Sequence, residues 1–277
     1  AGLPAIRTLI SEGINVNVTL LFARNAYEAV AHAYIEGLEA RTSAGQPLAH
    51  VASVASFFVS RIDTVVDSLI DEKLKTAAGA DKVRLERLLG KVAIANAKLA
   101  YQSYKRVFAG PRWEALQAKS AQRQRVLWAS TGSKNPHYSD VLYVEELIGP
   151  DTVNTVPPAT LAAFRDHGRP RASLEEDVAG ATQLLDDLER SGISLRKVTD
   201  DLLTDGVLET LFHHRRRRFP GTEAGEAHAR RIALRRLVFG VANGFDRDRD
   251  LDQAFQAVGL FWSDFNVHRA GLANVKY

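Results

Sequence analysis

The chain has no cysteine and no methionine among its 277 residues. Without cysteine there are no disulfides, no thiolate metal sites and no cysteine nucleophile, and the absence agrees with a reducing compartment. No apolar run reaches the length that spans a bilayer. No segment reads as a secretory signal, and a cytoplasmic location is expected. The missing methionine bears on the start: residues 1–12, AGLPAIRTLISE, are already an amphipathic helix with Leu3, Ile6, Leu9 and Ile10 on one stripe. Residue 1 is therefore expected not to be the natural N-terminus.

Hydrophobic content is 45%, ordinary for a chain with a sizeable core, and the length suits one α/β barrel or two smaller domains. The net charge is +3 and the pI about 9.1. Residues 213–236 hold eight arginines and two glutamates. That segment is +6, which leaves −3 for the rest, so the basicity belongs to one segment and does not make the chain a nucleic-acid binder.

One short stretch raises the question of function. In GINVNVTLLF, residues 13–22, Ile14, Val16, Val18, Leu20, Leu21 and Phe22 ask for a core, while Asn15, Asn17 and Thr19 alternate with them. Period 2 puts the three polar side chains on one face of a strand. On a two-faced antiparallel sheet that face would meet water. In a barrel it would point inward, toward a site at the C-terminal strand ends.

The flanking segments bear on that choice. Strands are expected at 14–22, 51–60, 125–132 and 151–158. Helices are expected at 25–42, 63–74, 82–108, 157–168, 173–193 and, short, within 194–207. Proline opens and glycine closes the helix at 157–168, and Ser173 with Glu176 reads as a capping box. Strand–helix alternation is the parallel α/β pattern, here half of an eight-stranded barrel or a small open sheet.

Longer stretches carry a resemblance. EGINVNVTLLF, VASVASFFVSRIDT, LWASTGSKNPHYSDVLYVEELIGPDTVNTVPPATLAAFRDHG and VTDDLLTDGV resemble the transaldolase family over residues 1–207, most specifically through residue 168. The similarity is to the bacterial branch sometimes fused to a glucose-6-phosphate isomerase. It implies an α/β fold, a (β/α)8 TIM barrel of which roughly strands five to eight are present. It also implies transfer of a dihydroxyacetone unit between sugar phosphates, from sedoheptulose 7-phosphate to glyceraldehyde 3-phosphate, in the pentose phosphate pathway. The family works through a lysine Schiff base, with no metal or organic cofactor.

By that resemblance Asn17 hydrogen-bonds the sugar and Thr19 holds the catalytic water. Asn15, lower on the same face, is equally well read as a satisfied buried amide. Ser56 and Arg61 match phosphate contacts and Phe58 an aromatic pocket wall. An arginine fork suits phosphate, whereas an ion pair with Asp63 is what Arg61 suggests without the family. Lys134 stands where the family usually has a phosphate-binding arginine. It offers a point charge, and Ser133 or Asn135 could share the task.

The family's Schiff-base lysine lies on the strand before the opening helix and is absent from these residues, as are the first-strand aspartate and third-strand glutamate. Lys98 is a poor substitute: it sits in a helical stretch, with its head expected in solvent. Residues 208–277 are an unassigned basic tail. Their arginines could bind nucleic acid or form a solvated run, but a shifted reading frame is the favoured account, so nucleic acid is not an expected partner. His213–His214 and the acidic run 246–252 lack the spacing of metal sites.

The expectation is thus a transaldolase portion, inactive alone, with sugar phosphates as its small-molecule partners and an open oligomeric state. The alternatives are a Schiff-base aldolase that cleaves, or a non-catalytic, basic-tailed binding module. Half a barrel also leaves two open sheet edges, from which aggregation, edge-to-edge dimerisation or loose packing is expected.

Overall fold

Four strands pair in parallel in chain order: β1 (Val16–Leu21), β2 (Ser53–Phe58), β3 (Arg125–Ala129) and β4 (Thr152–Asn154). The computed structural model describes residues 2–218, with side chains through residue 210. Residues Gly2–Val207 form one compact unit, and Leu208 begins a second. The α/β alternation and the parallel sheet agree with the sequence pattern.

Register assigns the two faces of the sheet. Val18 is level with Ala55, and Ala55 with Val126; Phe57 is level with Trp128. These side chains meet the helices, and Ala55, Phe57, Val126 and Trp128 are wholly buried. The Phe57 and Trp128 rings meet edge to face, centroids 6.1 Å apart. The opposite face carries Asn17, Thr19, Val54, Ser56, Phe58, Leu127 and Val153. Burial explains why the residues of the helix-facing side are apolar or small along β2 and β3; at β4, Thr152 and Asn154 share its register and are half-buried.

The helices α1 (Leu3–Ser11) and α2 (Arg24–Ser43) flank β1, and α3 (Ser60–Leu74) follows β2. The predicted helix at 82–108 is two helices, α4 (Gly79–Leu88) and α5 (Val92–Val107). Gly90, at φ +66°, lies between them in the left-handed region that lets the chain turn. A short α6 (Pro111–Gln117) and α7 (Leu142–Glu145) were not expected, being only two turns and one. α8 (Pro158–His167) and α9 (Val178–Arg190) follow, then α10 (Leu195–Arg218), longer than the short last helix predicted.

Other boundaries also differ. β1 starts at Val16, so Asn15 lies just before the strand. Its side chain accepts the Ala52 N–H at 2.7 Å, but it is exposed rather than buried. Ile14, expected in the core, is 41% exposed. β3 ends at Ala129, where Ser130 takes φ +58°, and β4 keeps only three of its eight predicted residues. The Ser173–Glu176 capping box does not form. Ser173–Glu175 is a 3-10 turn, and its serine hydroxyl donates to the Glu145 carbonyl and accepts the Ile148 N–H. Asp177 caps α9 instead, accepting the Gly180 N–H.

The Arg-rich segment and the 246–252 run fall outside the residues whose side chains are described. No described helix is long and apolar enough to cross a membrane.

Candidate active site

The C-terminal ends of parallel strands are where α/β sheets gather functional groups, because the chain leaves each strand there to enter a helix. Here β2 passes into α3 within two residues, and β3 leaves at Ser130. The two exits are stitched together. The Val59 N–H donates to the Ala129 carbonyl and the Ser60 N–H to the Ser130 carbonyl, both at 3.0 Å, and the Ser60 and Ser130 hydroxyls are 3.0 Å apart. Ser130 thus adopts its left-handed conformation where its carbonyl is held by the neighbouring chain segment.

On the sheet face opposite the core, the Ser56 hydroxyl donates to the Asn17 side-chain carbonyl at 2.7 Å. The two residues come from adjacent strands, and Ser56 is buried. Thr19 follows Asn17 by one period and is exposed. Between Val18 and Leu21 the register shifts, and Leu20 takes φ +60°; such bulges re-aim side chains at strand ends. Phe58 closes the row. Its ring centroid lies 5.3 Å from that of Phe22, and the Arg61 guanidinium carbon sits 5.3 Å from the same ring centroid, a cation–π distance. Five of the predicted site residues therefore lie along two adjacent strands and the first turn of α3.

Lys134 lies in the exit of β3, next to that of β2, and is exposed. Its turn is tied internally. The Ser133 hydroxyl donates to the Asn135 carbonyl, as does the Tyr138 N–H, each at 3.1 Å, and Asn135 Oδ1 accepts the His137 N–H. Asn135 thus shapes the loop.

Two carboxylates matter beyond what the sequence suggested, where Asp63 figured only as an ion-pair partner for Arg61 and Asp67 not at all. Asp63 and Asp67, one turn apart on α3, are 1% and 7% exposed. Asp63 Oδ1 accepts the Ala93 N–H at 2.7 Å and its Oδ2 the Tyr143 hydroxyl at 2.9 Å. Asp67 accepts the Gly90 N–H at 3.1 Å and the Tyr138 hydroxyl at 2.8 Å. Burial pushes the Asp63 carboxyl up to about 7, against the pull of the Ala93 and Tyr143 hydrogen bonds and with a smaller push from the Asp67 charge. Burial raises Asp67 as well. The signal was legible: both acids share the helical stripe of Ile62, Val66 and Ile70, where a carboxylate needs donors.

Lys98 differs from expectation. It is 7% exposed on α5, not solvated. Its ammonium donates to the Glu176 carbonyl at 3.1 Å and lies 3.5 Å from Glu146. Glu146 is shared with Arg171, which also pairs with Glu176. The Lys98 head group, carried on a helix away from any strand end, is thus engaged by a carbonyl and a carboxylate, which is not the placement of a Schiff-base nucleophile.

Among the described residues no three His, Asp or Glu gather into a group that could hold a metal ion.

The family model for transaldolase/fructose-6-phosphate aldolase matches residues 1–213. A transaldolase from Trichodesmium erythraeum is 53% identical over 209 residues, covering 74% of this chain and 55% of that protein. Transaldolase 2 of a Nostoc species is 53% identical over 213 residues, covering 75% and 55%. A transaldolase from Saccharopolyspora erythraea is 48% identical over 207 residues, covering 74% and 54%. The chain spans about half the length of the curated relatives it matches. From residue 1 to residue 213, the chain belongs to the transaldolase/fructose-6-phosphate aldolase family.

Proposed function

We propose that these residues are part of a cytoplasmic transaldolase that moves a dihydroxyacetone unit from sedoheptulose 7-phosphate to glyceraldehyde 3-phosphate in the pentose phosphate pathway. In this reading residues 1–207 are strands five to eight of a (β/α)8 barrel and residues 208–277 a tail without a role in the reaction. The barrel's first half, with the Schiff-base lysine and the acids that manage its protons, lies outside the 277 residues. The parent belongs to the branch related to the transaldolase–isomerase fusions. It uses no metal or organic cofactor.

The observation that carries the reading is the row Asn17, Ser56, Phe58 and Arg61, polar along the strands and cationic at their exit. A Schiff-base transfer passes through a carbinolamine, which needs a water and hydrogen-bond donors close to the reacting carbon. Asn17 offers its amide N–H groups to the sugar hydroxyls, because its carbonyl is occupied by Ser56. Thr19 holds the water. Phe58 lines the pocket wall. Arg61 takes the sugar phosphate with two parallel hydrogen bonds and Lys134 adds a point charge. Ser56 has a single hydroxyl proton, which it donates to Asn17, so it donates to phosphate only when that bond turns over on binding.

The test joins residues 1–277 to the part of the Trichodesmium transaldolase that precedes the matched region. The joined protein is expected to transfer the three-carbon unit to glyceraldehyde 3-phosphate. Release of free dihydroxyacetone without an acceptor would make it a cleaving aldolase. A folded joined protein with neither reaction would favour a binding module and overturn the reading.

A further inference from the structure

Resting on the reading of Arg61 and Lys134 as phosphate contacts, we infer that the hydrogen bond between Asp67 and Tyr138 is a positioning device that holds the Lys134 turn at the distance from Arg61 that one phosphate requires.

Arg61 needs no such device, since it lies in the first turn of α3, continuous with β2. Lys134 does. It follows β3 by five residues, in a stretch without regular structure before α7. The start of that stretch is tied to β4, where the Thr131 hydroxyl donates to the Asn154 side-chain carbonyl at 2.7 Å. Beyond Lys134 the tie is to α3. Asp67, less than two turns beyond Arg61 on the same helix, accepts the Tyr138 hydroxyl at 2.8 Å. Tyr138 returns through its own N–H to the Asn135 carbonyl, which also takes the Ser133 hydroxyl. Lys134 lies between those two residues. A short run of hydrogen bonds thus joins the helix that bears one cation to the turn that bears the other.

The rest of the setting keeps Tyr138 in place. Asp67 is anchored on its other oxygen by the Gly90 N–H. A Cβ at Gly90 would lie 2.7 Å from the Tyr138 ring carbon that carries the hydroxyl, so the ring rests directly on that backbone. Gly90 is in the left-handed region, which makes a side chain there strained as well as obstructed. Asp63 and Tyr143 repeat the arrangement one turn earlier, at 2.9 Å. Tyr143, however, opens into α7, away from the Lys134 turn in sequence. The two pairs are alike in chemistry, although Tyr143 is buried and Tyr138 half-buried, and they differ in which one is tied to Asn135.

That difference supplies the test. The joined protein described above, and variants made in it, are titrated with inorganic phosphate, binding is followed by phosphorus NMR, and melts are recorded in parallel. Tyr138→Phe and Tyr143→Phe each remove one hydroxyl and keep the ring, so both are expected to lower the melting temperature. Only Tyr138→Phe is expected to weaken phosphate binding, about fivefold, the size of one ordinary hydrogen bond. Gly90→Ala, which displaces the ring and spares the hydroxyl, should weaken it in the same direction. Arg61→Ala and Lys134→Ala test the underlying reading. If the wild type binds phosphate and these two lose it, yet Tyr138→Phe and Gly90→Ala bind as the wild type does, the positioning role is wrong and the phosphate site stands. Equal weakening by Tyr138→Phe and Tyr143→Phe would reduce the pair to general support of the fold and also overturn the inference. A wild-type joined protein that binds no phosphate overturns both.

Discussion

Ser56 donates its hydroxyl proton to the side-chain carbonyl of Asn17, 2.7 Å away on the neighbouring parallel strand. This bond fixes which way the amide of Asn17 faces. Ser56→Ala removes it and leaves the Asn17 carbonyl without that donor. A hydrogen bond of this kind contributes about 1 kcal/mol. The expected result is a loss of that order in urea denaturation. A double-mutant cycle with Asn17→Ala should give a coupling of similar size. Additive single losses would show that the contact carries no energy.

The second prediction concerns pH. The native Asp63 carboxyl titrates at about 7 and an unperturbed one at 3.8. Between those values the folded chain holds a proton that the unfolded chain has released. Stability from this group is therefore present at low pH and is lost as pH rises toward 7, by about 1.4 kcal/mol per pH unit. Asp67 shifts in the same direction. Asp63→Asn keeps an acceptor for the Ala93 N–H and places a donor opposite the Tyr143 hydroxyl. It should be more stable than wild type at pH 8, with the difference shrinking toward pH 5. Denaturation curves at the two pH values check it, and a difference that grows on acidification would contradict the assigned burial.

The third prediction follows from the sheet. Among the described residues β1 pairs only with β2, and β4 only with β3. Edge strands present unpaired backbone groups to other chains. Residues 1–277 alone are expected to elute above monomer mass in size exclusion with light scattering. A monomer with a sharp, cooperative melt would contradict the half-barrel reading.

The parts of the fold that were legible in the sequence share a cause. The four strands and α2, α3 and α8 announce themselves by apolar periodicity and by Pro and Gly punctuation, which are local. Gly90 was hidden inside an unbroken helical pattern: its φ is a property of the turn between α4 and α5. Ser173 looked like a cap because the capping box is a local pattern, but its hydroxyl is drawn to Glu145 and Ile148, 28 and 25 residues away. Lys98 likewise looked solvated until its partners Glu146 and Glu176 closed over it. Asn17, Ser56, Phe58 and Arg61 were found through family resemblance, and their adjacency follows from the parallel register of β1 and β2. Asp63 was read only as a surface partner for Arg61, and Asp67 was passed over, because an acid on a helix is ordinarily a surface residue. Their donors come from Gly90, Ala93, Tyr138 and Tyr143, which only the fold brings together.

The central claim is that these residues bind and orient the sugar phosphate while the nucleophilic lysine lies elsewhere. Borohydride trapping with fructose 6-phosphate, read by mass spectrometry of the 277-residue chain, tests it most directly. A Schiff base reduced in place leaves a stable adduct on the lysine that formed it. The account predicts an unmodified chain, Lys98 included, and an adduct outside residues 1–277 when the upstream segment is joined. A stoichiometric adduct on Lys98, or on any other lysine of this chain alone, would contradict it.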